Sequence, residues 1–308
     1  MKKMNLEESY VYCKDVAKKF DTNFYLGFMF LPREKRNAVF AAYAFCRYVD
    51  DIADEYKGKK DVKELIQKWE DDLDLCYDGI GYHPITIALA DAVRKYKIPK
   101  APFKGLIKGC KMDQTIKRYN NFKELLVYCD SVATTISTIS LHIFGYNTKK
   151  AITYGRYLSI GLQLTNILRD VGEDAKKGRI YLPLDELEKF NYTESDLLKG
   201  VMNESFFSLM KFQVKRARDY YCKAAKLVNL INEDARLATK LMGAVYVNVL
   251  DEIERNNFDV FNNKAQLSKV HKMLLAAKML LSPNDDFSTI SKETSLQAPS
   301  LTSYKADL

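Results

Sequence analysis

An all-α fold follows from three features of this 308-residue sequence. Only 13 glycines and 7 prolines punctuate it. Between those breaks apolar residues recur at three- and four-residue spacing, as in Val39, Tyr43 and Cys46, which is the period of a helix with one buried face. No run of alternating Val, Ile and Thr bounded by hairpin turns occurs, so nothing argues for a sheet. With 47% hydrophobic residues, the chain can fill one large helical domain.

The elements follow in order from the breaks. Turn signals fall at Leu31 and Pro32, over 79–84, 98–102 and 145–147, and over 177–183. They predict a first helix ending near Phe20, then helices over 33–55, 62–77, 86–96, 102–116, 122–144, 148–173, 204–231, 234–256 and 265–281. No linker divides them and no fixed-period repeat occurs, so residues 1–281 are expected to form a single domain. Beyond Leu281 the sequence turns to Ser, Thr, Asp and Pro, and 282–308 is expected to be disordered.

Composition narrows the function classes. The six cysteines show no C-x-x-C spacing, which suggests reduced, buried thiols in a cytoplasmic protein. The start MKKMNLEESY lacks an apolar core, so no secretory leader is expected. The nearest approach to a membrane span, 125–143, is interrupted by Asp130 and Ser131 and reads as a buried helix. A net charge of +8 could suit nucleic acid, yet the lysines are spread along amphipathic helices without an interleaved aromatic cluster, so no nucleic-acid partner is expected. The same balance suits anionic phosphates or contact with an anionic membrane surface. His83, His142 and His271 form no zinc pattern with the cysteines, and no G-x-G-x-x-G follows a strand.

Two acidic motifs carry the chemistry. In the helix over 33–55, Asp50 and Asp54 are four residues apart and share one face. Like charges at that spacing repel, and an isolated pair of this kind is usually a solvated helix end. In the helix over 148–173, Asn166, Asp170 and Asp174 form a second ladder flanked by Leu164, Ile167, Leu168 and Val171. Such a polar stripe on an apolar helix is harder to read as incidental. All five side chains offer oxygen to a hard cation, so Mg²⁺, or Mn²⁺ in its place, held between two such ladders could carry a diphosphate. Arg47, Arg169 and Arg179, the last followed by Tyr181, stand beside the acids and suit phosphate oxygens.

These residues resemble the squalene and phytoene synthase family of head-to-head prenyl transferases. The matching stretches are 42–55 (AYAFCRYVDDIADE), Met112 with Asp113, Tyr128 with Cys129, 163–183 (QLTNILRDVGEDAKKGRIYLP), and Tyr246 followed by 250–254. The resemblance spans about residues 5 to 280. It implies an isoprenoid-synthase helical bundle with a central apolar cavity between the two motifs. It further implies that Asp50, Asp54, Asn166, Asp170 and Asp174 hold Mg²⁺ and diphosphate. Arg47, Arg169, Arg179, Tyr43, Tyr246, Gln163 and Tyr128 would serve the diphosphate or first-cation region. Phe24, Phe28, Val132, Ile136, Ile139 and Leu158 would set the cavity depth.

The implied reaction joins two allylic diphosphates, C20 units giving phytoene or C15 units giving dehydrosqualene, through a cyclopropylcarbinyl diphosphate. Squalene would need NADPH, which is disfavoured here. Arrest at presqualene diphosphate, hydrolysis to a prenyl alcohol and a non-catalytic role as a helical partner remain as other readings. The sequence departs from the family wording at Phe20, Asp21 and Asn23. Thr134 and Ser137 stand for two glycines of the helix expected to line the cavity, and Asn263-Lys264 stands for a common arginine pair. The closing helix, with Lys272 and Lys278, is a candidate for peripheral membrane contact.

Overall fold

The computed structural model describes residues 4–20, 22–55 and 62–281, and for residues 20, 22, 23, 54 and 55 only the backbone. The expectations for the 282–308 tail, for Asp21 and for the side chains of Phe20, Asn23 and Asp54 therefore lie outside the described residues. Every named element among the described residues is helical.

The first half of the chain packs α1 (Leu6–Phe20), α3 (Arg33–Glu55), α4 (Val62–Tyr77), α5 (Pro84–Tyr96) and α6 (Ala101–Thr115) against one another, with α3 touching all the others. A short helix absent from the sequence expectation, α2 (Thr22–Phe28), lies against the later α14 (Glu233–Arg255). The α5 helix starts two residues before its expected position because Pro84 occupies the first turn and His83 caps it. His83 Nδ1 accepts from the Ile85 N–H at 3.2 Å, and Thr86 Oγ1 accepts from the His83 N–H at 3.1 Å. Burial lowers the His83 pKa, in keeping with a ring nitrogen that must stay unprotonated to accept.

The helix expected over 122–144 is interrupted. It runs as α7 (Phe122–Cys129), a π turn (Asp130–Thr134) and α8 (Thr135–Phe144). It ends at Gly145, whose φ of 77° is open to glycine, and where a Cβ would stand 2.4 Å from the Asn232 amide. That closeness lets Asn232 N–H donate to the Gly145 carbonyl at 3.1 Å and Asn147 N–H to the Leu230 carbonyl at 2.9 Å.

The helix expected over 148–173 also divides, into α9 (Lys150–Arg169) and α10 (Val171–Lys176), at Asp170 with φ −100° and ψ 9°. Short helices α11 (Leu184–Lys189) and α12 (Glu194–Lys199) follow, then α13 (Glu204–Ala224) continuing as a 3₁₀ turn (Ala225–Leu230). After α14 comes α15 (Lys269–Leu281), four residues shorter at its start than expected. The α9 helix is buried around most of its circumference, packed by α8, α13 and α14, and α14 is likewise core on nearly every side. Five cysteines are buried as expected, but Cys222 is exposed on α13. His142 is half-buried with its ring edge-on to Tyr146, not enclosed in the core.

Candidate active site

One cavity of about 310 Å³ opens between α2, α3, α6, α8, α9 and α14. Its apolar wall includes Phe24, Phe28, Leu106, Ile136, Leu158 and Met242. Its polar groups arrive near the C-terminal ends of three helices. Along α3 the lining residues run Tyr43, Cys46, Arg47, Asp50; along α6, Leu106, Cys110, Asp113; along α9, Leu158, Leu162, Gln163, Asn166. Helix C-termini carry partial negative charge, so carboxylates placed there are unfavourable alone and favour a cation between them.

The wall made by α6, the π turn, α8 and α9 is fitted by exchanging bulk between helices. A Cβ on Gly109 would stand 2.7 Å from Val132 Cγ1, one on Gly105 would stand 2.7 Å from Thr135 Cγ2, and one on Gly155 would stand 2.8 Å from Ser137 Oγ. Glycines on α6 and α9 thus receive the bulkier side chains of the π turn and α8, so Ser137 reaches the cavity wall without separating the helices. Thr134, expected on the wall, is turned away from it. Its hydroxyl donates to Asp130 Oδ1 at 2.9 Å and lies 3.2 Å from Ser159 Oγ, while Arg156 grips both oxygens of Asp130 at 2.6 and 2.8 Å. The extra residue of the π turn shifts the register of the side chains that follow. Ile139 is buried but likewise lies off the wall.

Among the described side chains, each acidic motif brings one residue to the cavity wall. Asp50 from α3 and Asn166 from α9 line the same cavity, together with Tyr43, Arg47, Gln163, Tyr128, Val132 and Phe24. Tyr246 stands behind that wall, its ring 5.7 Å from Phe24, whose other neighbours are Tyr43 at 6.3 Å and Phe28 at 6.0 Å. Asp170 and Asp174 do not continue the α9 face into the cavity. The helix is interrupted at Asp170, although Asp170 N–H still donates to the Asn166 carbonyl at 2.9 Å and Asp174 N–H to the Asp170 carbonyl at 2.8 Å. Gly172 of α10 sits so close to the 260–261 segment that a Cβ would meet the Val260 carbonyl oxygen at 2.5 Å. Asp170 is clasped by Arg169 at 2.8 and 2.5 Å and lies 3.5 Å from Lys264, which also meets Glu173 at 2.8 Å. Lys264 therefore keeps a cation beside this motif where the family wording has arginine. Asp174 and Arg179 border a small void with Ile167 and Val171.

Charge at the site is only partly balanced by the chain itself. Arg47 reaches Asp50 Oδ2 at 3.3 Å and Asp51 Oδ1 at 2.6 Å. Burial, reinforced by Asp170, pushes the Asp174 carboxyl up to about 7, against the pull of Lys177 and Arg179. Asn166 Oδ1 is buried without a hydrogen-bond partner among the described residues. An orphaned carbonyl oxygen and a carboxyl whose pKa is pushed up to about 7 both suit a hard cation as partner, and the donors are all oxygen. Among the described residues no three His, Cys, Asp or Glu side chains converge on one point.

Asp113 is the site residue to which the sequence reading assigned no role. Its carboxylate accepts from Tyr181 at 2.7 Å and from Tyr128 at 3.1 Å, and its backbone oxygen accepts from Arg179 at 3.3 Å. Tyr119 and Tyr181 stack 5.8 Å apart beside it. The sequence signal was an acid at the helical spacing of the apolar Leu106 and Cys110.

The family model for squalene/phytoene synthase matches residues 17–271. The chain belongs to the squalene/phytoene synthase family. It is thus an enzyme of a prenyltransferase family, with the all-α isoprenoid-synthase fold. Among curated relatives of this family, phytoene synthase of Arthrospira platensis is 39% identical over 280 residues, covering 87% of this chain and 91% of that one. The 15-cis-phytoene synthase of Synechocystis sp. is 37% identical, covering 88% and 84%. A crystal structure of a dehydrosqualene synthase in complex with ligand superposes with a TM-score of 0.85 at 28% identity, covering 90% of this chain and 97% of that one.

Proposed function

We propose that this protein joins two molecules of geranylgeranyl diphosphate head to head to give phytoene, with Mg²⁺ as its metal. The observation that carries the reading is the apolar cavity whose polar end takes Asp50 from one acidic motif and Asn166 from the other. The naming of the curated relatives as phytoene synthases supports the C20 substrate.

Asp50, Asp54, Asn166, Asp170 and Asp174 would hold the metal, which when bound neutralises the diphosphate and makes it a leaving group. Arg47 and Arg169, paired here with Asp50, Asp51 and Asp170, would turn toward phosphate oxygens as a substrate enters. Phe24 and Tyr43, with Tyr246 packed behind Phe24, would keep water from the cation formed at C1 and offer it ring faces. The 2,3 double bond of the second substrate then bonds to C1, and a proton departs to leave a cyclopropylcarbinyl diphosphate. Loss of its diphosphate opens the ring, and loss of a further proton gives the triene. Two diphosphates and two protons leave in all, and no hydride is required.

A second reading, two C15 units giving dehydrosqualene, draws on the likeness to the dehydrosqualene synthase structure. Incubation of purified protein with labelled C20 or C15 diphosphate and Mg²⁺, followed by analysis of the extract, tests both. A C40 triene from the C20 substrate is expected. A C30 triene alone would favour the second reading, and a free prenyl alcohol as sole product would overturn coupling altogether.

A further inference from the structure

The last helix carries two apolar faces. One closes onto α14, where Lys272, Leu275, Ala276 and Met279 are buried. The other faces solvent. Val270, Met273, Leu274, Leu280 and Leu281 are between 57% and 84% exposed, and Ala277 is exposed among them. These are five of the twelve large hydrophobic residues that the described chain exposes, so the exposure is concentrated on this element and not scattered as on an ordinary surface.

At about 100° per residue the six side chains fall on one stripe roughly 120° wide. Lys269 stands at one border of that stripe and Lys278, with His271, at the other. Lys269 is exposed, Lys278 half-buried, and the helix contains no Asp or Glu. An apolar stripe between two lysine borders matches a bilayer interface, where the stripe enters the acyl boundary and the ammonium groups rise to the headgroups. The absence of acids from the helix and the protein's charge of +8 select anionic lipid. A second copy of the chain fits less well. A helix of 13 residues is about 20 Å long, and one face of it covers a few hundred Å², well short of the roughly 1,200 Å² of a stable interface.

We propose that α15 docks the protein on an anionic membrane surface, through the stripe of Val270, Met273, Leu274, Ala277, Leu280 and Leu281 bordered by Lys269 and Lys278. The span-length requirement is unaffected, since no helix among the described residues is long and apolar enough to cross a membrane.

Co-sedimentation of the full chain with phosphatidylcholine vesicles, with and without phosphatidylglycerol, tests this. Binding is expected to the anionic vesicles and to be lost in Met273→Glu/Leu274→Glu. Lys269→Glu/Lys278→Glu should weaken it by about twentyfold or more, each lysine contributing about fivefold. If the glutamate pair proves unstable by thermal melting, the milder Val270→Ser/Leu281→Ser supplies the same readout. Failure of the full chain to bind anionic vesicles, or undiminished binding by the apolar variants, would overturn the proposal. So would a solution dimer that Met273→Glu/Leu274→Glu dissolves, which would give the face to a second copy. Vesicle binding is read without turnover, so its failure leaves the proposed reaction untouched.

Discussion

The phenol of Tyr128 on the cavity wall donates to Asp113 Oδ2 at 3.1 Å, and Tyr181 donates to the other oxygen of the same carboxylate. Burial, with Tyr181 and Asp113 close by, holds the Tyr128 pKa well above its ordinary value, so it stays a donor at any working pH. Asp113 thereby fixes where the Tyr128 ring edge and oxygen sit. Asp113→Ala should lower stability by about 2 kcal/mol, because two buried phenols lose a charged acceptor. Asp113→Asn, which keeps oxygen as one acceptor, should recover most of that loss while turnover stays depressed. Thermal melts and product assays on both variants separate the two effects, and wild-type turnover in Asp113→Asn would show that the charge has no part in placing Tyr128.

Asn166 gives the sharpest contrast between folding and function. Its buried Oδ1 has no hydrogen-bond partner among the described residues, so Asn166→Leu, melted without added metal, should leave the melting temperature unchanged or raise it. The same change removes a metal donor and should lower turnover by at least about a hundredfold. A variant that melts lower and turns over normally would contradict both halves.

Asp50→Ala should act on the other side of the cavity in the same way, abolishing measurable coupling with the helical spectrum intact. The exposed part of Asp50 and its pairing within α3 make its structural contribution small. Near-normal rates at saturating Mg²⁺ would remove Asp50 from the metal shell.

The Asp174 carboxyl predicts a pH signature. Folded, it holds its proton up to about 7, whereas unfolded it releases it near 3.8. Metal-free stability from this group is therefore full below pH 3.8 and is lost as pH rises toward 7. A cation must displace that proton, so Mg²⁺ should raise the melting temperature more above pH 7 than below it. In Asp174→Asn the difference should vanish, and equal Mg²⁺ shifts at both pH values in the wild type would refute the assignment.

Chain length should respond to the α8 face of the cavity, which includes Ser137 and Ser140. Ser140→Phe fills that space from its far wall and should lower the ratio of C40 to C30 product by at least about tenfold when both substrates are offered. Product ratios from mixed-substrate incubations decide this.

Much of this architecture was legible beforehand, and the exceptions have physical causes. The long helices α3, α4 and α13 repeat their apolar period often enough to declare themselves, and α4 has the expected bounds. Helices α2, α11 and α12 have six or seven residues, too few for a period to register. The π turn at Asp130–Thr134 left no mark because its residues remain apolar and polar in an order an α-helix would also accept. Thr134 consequently lay on the expected wall and is found bonded to Asp130 behind it.

Asp50 and Arg47, or Gln163 and Asn166, share a helix face because neighbours three and four apart must do so, and that much the sequence determined alone. It also determined the oxygen chemistry of both motifs and the family they belong to. Whether two such faces border one cavity depends on contacts between residues far apart in the chain, and only the tertiary structure decided it. The break at Asp170 is of the same kind. Nothing between Asn166 and Asp174 marks a break, yet the helix is interrupted at Asp170, Gly172 seats closely against Val260, and Asp174 borders a separate small void. Local periodicity assigns a side chain to a face; packing against distant segments decides what that face meets.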